Sequence, residues 1–365
     1  MRQYSIDIFD RNLTFKYHDF ANSVPKIDDD YLSLVTNSLE TGSTDRISVG
    51  DFIRIESTDI NYFGVVTDAT PGDKITTVQF RSLLSIFDTD FLFDTNDQKK
   101  TNDQNARTLE SEIAHYLVEI FEASDDPSQN YSVFSISAVT NSVTKWGFNI
   151  TPDTEGSHYS IIGLHSVLLA RALKQYGVAI NVSPHFNAKR IDISIGVVHS
   201  KFTIDADLDS VDVTALKVND RPNGTNKLII YNTYDYLESA VFYVYTDRTW
   251  GMDKTTKRIV PVVREVRGVQ PYEDEEIDPE DAFPMAAVDT AYDTLSGLEW
   301  DNLIELETMS NDPLIEPLNL KFGQQITMRY KNGTYSSILT GKAFDGNVVK
   351  LIFGSERITF TKRTR

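Results

Sequence analysis

A chain of 365 residues with 40% hydrophobic and 24% charged side chains has the composition of an ordinary globular protein of about two to four domains, not of a disordered one. Its 54 acidic against 35 basic residues leave a net charge of −19, which argues against nucleic-acid backbones or anionic membranes as the main partner, since both need clustered Lys and Arg. The absence of cysteine excludes disulfide scaffolds, thiolate metal sites and cysteine nucleophiles.

The N-terminus, Met1 to Ile8, alternates polar and apolar residues and has no apolar signal-peptide core. No window reaches the run of about 18 apolar residues that a membrane span needs, so membrane insertion is not expected, and the protein is expected to be made and folded in the cytoplasm. The first hundred residues read as β. Ser5–Phe9 and Phe52–Glu56 alternate; Tyr62–Thr67 and Ile75–Phe80 follow, with Pro71-Gly72-Asp73 as the turn between them. Short strands at this spacing suggest a small barrel, ending at Leu83–Asp88. The polar stretch 94–106 reads as a linker or exposed loop.

The period then changes. Leu109, Ile113, Leu117 and Ile120 fall on one helix face, and Asp125-Asp126-Pro127 stops that helix. A second helix is predicted over roughly 160–176, with Ile161, Leu164, Leu168 and Ala172 as its stripe. Arg171 and Lys174 suit the negative end of its dipole, and Gly177 is the expected C-terminal cap. Strands are predicted at Val178–Val182 and Arg190–Ile195. Residues 200–265 return to β, with Lys227–Tyr231 paired to Val241–Tyr245, a turn at Pro222-Asn223-Gly224, and Ile259–Val263 closing the set.

The charge run 273–281 follows. Asp278-Pro279 has the form of a helix start, but Pro284 moves the predicted start a few residues on; Met285, Val288, Tyr292 and Leu295 keep helical spacing until Gly297. The last fifty residues are β again. Asn302–Glu307 reads as a strand. Gln325–Tyr330 and Tyr335–Leu339 flank Asn332-Gly333, a hairpin signal. Val348–Phe353 and Arg357–Thr361 complete the set. No repeat of solenoid or propeller period occurs.

The search for chemistry yields no candidate catalytic, cofactor-binding or metal residue. The six histidines, His18, His115, His158, His165, His185 and His199, form no HExxH or HxH pattern, and His115 and His165 fall inside predicted helices as structural residues. Phosphate loops and GxSxG elbows are absent. Asp28-Asp29-Asp30 and the 273–281 run could hold a divalent cation, but the alternate-acid-plus-Gly calcium loop does not occur, and both read as solvated acidic segments. A carboxylate pair for glycoside hydrolysis cannot be singled out among 54 acids. Trp146, Trp250 and Trp300 are scattered and read as core or interface anchors.

Four stretches together resemble the tail-tip hub family of tailed bacteriophages, which includes contractile-tail baseplate hubs and the N-terminal module of tail-associated lysins (the prophage endopeptidase tail family). They are Ile47–Ile55 with Phe63–Val66 and Leu84–Asp88; Leu168–Leu173 running into Tyr176–Val178; Thr256–Val263; and Leu320–Ile326 with Tyr335–Gly341 and Phe353–Thr359. The order and spacing carry the likeness more than any single phrase. The resemblance implies an α+β, β-rich fold with two small β-barrel domains, an α/β insert domain and a C-terminal β hairpin unit. The expected boundaries are a first barrel over 1–98, the insert over 99–198 plus about 266–300, a second barrel over 199–265, and the C-terminal unit over 301–365.

The same resemblance implies a structural role with no cofactor and no enzymatic activity. A homotrimer would present six barrels to the six-fold distal tail ring, close the tail tube, and open for DNA ejection. Expected partners are the distal tail protein hexamer, the C-terminus of the tape-measure protein and downstream tail fibre or receptor-binding proteins, with DNA only in transit and the virion tail as location. Such lysins continue into a peptidase, a lytic domain or a fibre, whereas this chain stops at Lys362–Arg365, so no lysin activity is carried over. The alternatives are a tail-associated cell-wall-degrading enzyme, as a peptidase or a carboxylate glycosidase, and a receptor- or glycan-binding tail module.

Overall fold

The computed structural model describes residues 3–95, 107–148, 150, 158–208, 211–218, 226–246, 249–258, 264–272, 278–297 and 300–355. The first seven strands are β1 (Ser5–Phe9), β2 (Phe15–Phe20), β3 (Lys26–Asp30), β4 (Asn37–Gly42), β5 (Phe52–Glu56), β6 (Asn61–Pro71) and β7 (Ile75–Ser82). Six of them form one antiparallel sheet in the order β2-β1-β5-β6-β7-β4. The alternation in β1 and β5 is what pairs them. Ile6 lies opposite Ile55 and Ile8 opposite Ile53, and all four are fully buried. Each such side chain contributes roughly 2 kcal/mol of burial free energy. The sheet curls until its end strands meet, and Asp19 on β2 ties them. Its Oδ2 accepts from the Gly42 N–H (2.8 Å), the Thr41 hydroxyl (2.9 Å) and the Tyr17 hydroxyl (2.8 Å).

A 3₁₀ turn over Leu83–Phe87 leads into β8 (Asp90–Asp94). Helix α1 (Leu109–Phe121) covers the predicted stretch; Thr108 caps it, accepting from the Ser111 N–H. Glu110 in its first turn is fully buried and holds the loop that follows β9 (Phe134–Ala138), accepting from the Ser142 N–H (2.7 Å) and the Thr140 hydroxyl (3.0 Å). Next come β10 (Tyr159–Gly163), α2 (Ala170–Tyr176), β11 (Val178–His185) and β12 (Arg190–Val197). The predicted helix over 160–176 is therefore half strand. Residues 159–163 pair with β8, Ile161 faces Leu92 and is 65% exposed, and a wide π turn over Leu164–Leu169 joins β10 to α2. The run Tyr-Ser-Ile-Ile-Gly fits either period, and the unpaired edge of β8 decides it. Gly177 caps α2 at φ +69°. Strands β11 and β12 pair antiparallel, β9 joins β12 in parallel, and α1 packs on them.

The remaining strands are β13 (Lys201–Asp205), β14 (Asp212–Val218), β15 (Lys227–Asn232), β16 (Ser239–Val244), β17 (Trp250–Gly251), β18 (Arg264–Val269), β19 (Asn302–Met309), β20 (Gln325–Tyr330), β21 (Gly333–Asp345) and β22 (Val348–Phe353). Helix α3 (Pro279–Leu295) precedes β19. The second large sheet has the order β13-β20-β21-β22-β19-β14, with β3 added antiparallel to β21. Its inner face and that of the first sheet form one apolar cluster, from Ile6 and Phe80 to Leu306 and Phe353.

This pairing differs from the expected boundaries. Segment 201–218 belongs to the same sheet as 302–353, so the C-terminal strands are not a separate unit. Strands β15 to β18 form their own four-stranded sheet, β17-β16-β15-β18, covered by α3 through Phe283, Ala287, Ala291 and Leu295. Helix α3 thus packs its apolar face there and not in the 107–197 unit. Alternation locates strands but does not name their partners, and the parallel pair β13–β20 is separated by more than a hundred residues of chain.

Two local expectations shift. Helix α3 starts at Pro279 and runs through Pro284; Asp278 accepts from the Glu280 N–H at 3.0 Å, and Phe283 is buried on the sheet, which offsets the hydrogen bond Pro284 cannot make. In the β20–β21 hairpin Tyr330 pairs with Gly333, so the two-residue loop is Lys331-Asn332, at φ +46° and +65°. That is a type I′ turn displaced by one residue from the Asn-Gly signal. Gly333 is the first residue of β21, paired with Tyr330. The Pro222-Asn223-Gly224 turn, the strands Ile259–Val263 and Arg357–Thr361, residues 273–277 of the charge run, and most of the 94–106 loop lie outside the described residues.

Candidate functional site

The histidines do not converge. His18 meets Asp7 (2.7 Å), His115 meets Glu119 on its own helix (3.5 Å), His158 meets Asp94 (3.7 Å) and His185 meets Asp192 (3.0 Å). His199 contacts the Ser142 hydroxyl at 3.2 Å. His165 is buried in the π turn with Nε2 at 2.8 Å from the Tyr31 carbonyl, and burial pushes its pKa below the ordinary value. Among the described residues no group of three or more acidic or His side chains could hold a metal ion. Trp146 and Trp300 are buried, and Trp250 packs edge-on against Phe242 and Tyr292. Asp278, Glu280 and Asp281 of the charge run serve the N-terminus of α3.

The Asp28-Asp29-Asp30 stretch has a different fate from the solvated loop the sequence suggested. It lies in β3, the strand that crosses from the first sheet's connections to the second sheet. Strand alternation sends Asp29 to one face and Asp28 and Asp30 to the other, so the three carboxylates cannot share one cation. Asp30 accepts from the Leu32 and Ser33 N–H groups and turns the chain. Asp29 borders a cavity of about 500 Å³.

That cavity sits where three parts of the molecule meet. The first sheet supplies Arg54, Tyr62 and Ser82; β11 supplies Asn181 and Ser183; the second sheet and the loop before β20 supply Lys342 and Lys321. Tyr31, directly after β3, braces the seam. Its hydroxyl accepts from the Ile180 N–H (3.2 Å) and its N–H donates to the Thr340 carbonyl (2.9 Å). Asp29 Oδ1 and Tyr62 Oη are shut off from solvent. Burial pushes the Asp29 carboxyl up to about 6, against the pull of Lys342 and Ser82. Burial lowers Lys342 to about 8, although Asp29 opposes it. Tyr62 is raised well above the ordinary phenol range by burial and by the nearby Asp29, against a hydrogen bond with Asn37. Lys342 Nζ donates to the Leu320 carbonyl. The sequence singled out Asp29 inside an acidic triplet; Tyr62, Arg54 and Lys342 carried no signal, because they are ordinary strand residues brought together by sheet packing.

Large apolar side chains are exposed in two other places. Tyr236 and Leu237, at the tip of the β15–β16 hairpin, are 74% and 95% exposed, and Val266 on β18 is half exposed. Leu92 and Ile161 face outward together from the β8–β10 ribbon.

The class is thus an α+β, β-rich protein with two large sheets on a shared core and two smaller α/β units attached to them. No family model matches the chain, and no curated protein matches it. Among solved structures it is similar, over nearly its whole length, to phage baseplate and prophage tail proteins. A chain of the phage P2 baseplate in its activated conformation matches at 14% identity and TM-score 0.45, covering 96% of this chain and 98% of the other. The 43 kDa tail protein of prophage MuSo2 from Shewanella oneidensis matches at 12% identity and TM-score 0.47, covering 97% and 98%. A tail protein from Neisseria meningitidis MC58 matches at 11% identity and TM-score 0.44, covering 97% of each chain.

Proposed function

We propose that the chain is a structural component of a bacteriophage tail, a baseplate-hub or tail-tip protein that works by assembly and not by catalysis. The observation that carries the reading is the pair of large sheets, of six and seven strands, that share one core within a single chain. In this reading each large sheet takes one place in a ring, so three subunits present six and join a three-fold hub to a six-fold distal tail ring. The four sequence stretches that resemble the hub family point the same way. The smaller units hang from this pair and carry exposed apolar side chains, Tyr236 and Leu237 among them, of the kind that mark contact surfaces.

In this role the trimer closes the tail tube and opens for DNA ejection. Its partners are the distal tail protein hexamer, the tape-measure protein and downstream fibre or receptor-binding proteins. The net charge of −19 suits a wall past which DNA slides without sticking. The test is the mass of the purified protein in solution, alone and mixed with the distal tail protein of the same gene cluster. A species of three 41.3 kDa chains, or one that forms on adding the hexamer, is expected. A stable monomer that ignores the partner sinks the reading. Incubation with purified host cell wall is expected to release no fragments, and release would point to an enzyme.

A further inference from the structure

The sheet β17-β16-β15-β18 meets a helix on one face only. Leu228, Ile230 and Phe242 turn toward α3, and the strand register lays out the other face in three rows. The first row is basic. Tyr243, Lys227 and Arg264 lie side by side on β16, β15 and β18, and Arg258, opposite Tyr245, completes the row. The Lys227 ammonium and the Arg258 guanidinium stand 5.9 and 4.7 Å from the centre of the Tyr243 ring. None of these three cations has an ion-pair partner among the described residues. The second row is aliphatic, with Val241, Ile229 and Val266, and Val266 is 53% exposed. The third row holds Tyr231, on which Tyr236 of the hairpin tip stacks at 5.5 Å. Three cations in one row repel each other, and a surface that brings carboxylates to them relieves this.

The β8–β10 ribbon has the converse pattern. Phe91 and Phe93 turn into the core, so Asp90, Leu92 and Asp94 face outward, with Gly163, Ile161 and Tyr159 beside them. Leu92 and Ile161 form an aliphatic row that is 58% and 65% exposed, with an aspartate on β8 to either side of it. No Lys or Arg occurs in 88–94 or 159–163.

Two basic faces cannot pair with each other, because Lys227, Arg258 and Arg264 would meet their own copies. Two ribbons would likewise oppose their aspartates. Each face fits the other, and both are exposed in the same chain, so the fit is between chains. We propose that the open face of the β15–β18 sheet in one subunit docks on the outer face of the β8–β10 ribbon of a second copy of this chain. Val266 and Ile229 meet Leu92 and Ile161, and the cation row meets Asp90. The aliphatic rows supply affinity and the charges set the orientation. A contact between two unlike surfaces repeats head to tail and forms a ring where the rotation closes. The inference rests on the trimer reading above and names the surfaces that join its subunits.

The chain has no cysteine, so thiols can be introduced only where they are wanted. Ile161→Cys and Val266→Cys both fall at exposed positions, and the full chain carrying both is treated with a short bismaleimide. Denaturing electrophoresis is expected to show two-chain and three-chain species. Each single variant is expected to stay as single chains, since its thiols all lie on the same face. If the trimer forms only with the distal tail hexamer, the reaction is run in that mixture. Arg258→Glu with Arg264→Glu is expected to weaken association by about tenfold or more, Asp90→Arg to weaken it too, and the three together to restore part of the loss. A trimer whose double cysteine variant does not crosslink overturns this inference and leaves the hub reading standing. So does equal crosslinking of the single variants, or charge reversal without effect on association. A parent that forms no trimer, alone or with the hexamer, overturns both.

Discussion

Replacing Asp29 with Asn should leave stability unchanged at pH 4 and raise it at pH 7.5. The magnitude follows from the cavity. Asp29 goes from an ordinary carboxyl at 3.8 to about 6 in the folded chain, and that rise corresponds to about 3 kcal/mol. The sign is fixed by which state holds the proton more tightly. A carboxyl raised on folding is bound more strongly by the folded chain, so its contribution is complete below 3.8 and is lost as pH rises through 6. Asn matches the protonated carboxyl in shape and neutrality and carries no such penalty. The difference between variant and parent should therefore be small at pH 4, reach half its full size near pH 5, midway between 3.8 and about 6, and level off at about 3 kcal/mol by pH 7.5. Urea unfolding of both proteins in matched buffers measures it. If the variant is instead less stable than the parent at pH 7.5, Asp29 is a stabilising partner of Lys342, and the argument from desolvation is wrong. A difference that does not change with pH refutes it equally.

Three further substitutions test the architecture. Gly297 follows α3 at φ +82°, and a Cβ there would lie 2.1 Å from the Lys174 carbonyl oxygen; Gly297→Ala should lower stability by about 2 kcal/mol or more, seen as a drop in Tm. Glu110→Ala removes the buried acceptor of the 140–143 loop and should cost about 2–4 kcal/mol in urea, with part of that recovered by Glu110→Gln. Asp19→Ala should release the end of β2 from β4, read as faster amide hydrogen exchange across both strands with little change elsewhere. Burial alone would raise the Asp19 pKa, but its hydrogen bonds outweigh that and lower it. Its stabilisation is therefore present above 3.8 and lost as pH falls through the lowered value, so the Asp19→Ala difference should shrink in acid.

Local chemistry wrote much of this molecule into its sequence. The alternation of Ile6, Ile8, Ile53 and Ile55 fixed two strands and the face they bury, and the spacing of Leu109, Ile113 and Leu117 fixed α1. Gly177, free to adopt a left-handed conformation, marked the end of α2. These signals involve neighbours within a few residues, where a period of two or of 3.6 leaves few alternatives. The Asn332-Gly333 pair announced a hairpin, yet the loop sits one residue earlier, at Lys331-Asn332, where both residues take positive φ and Gly333 already pairs with Tyr330.

What only the tertiary structure decided is partnership. Residues 159–163 became a strand because β8 had an open edge, not because their own pattern demanded it. Strands β13 and β14 joined strands roughly a hundred residues away, and β15 to β18 withdrew into a sheet of their own under α3. Asp29, Tyr62 and Lys342 are separated along the chain and share no motif; three packed units bring them to one cavity. A strand's sequence specifies which face it hides, but its edge hydrogen bonds are the same for every residue type, so the choice of neighbour is made by the packing of the whole.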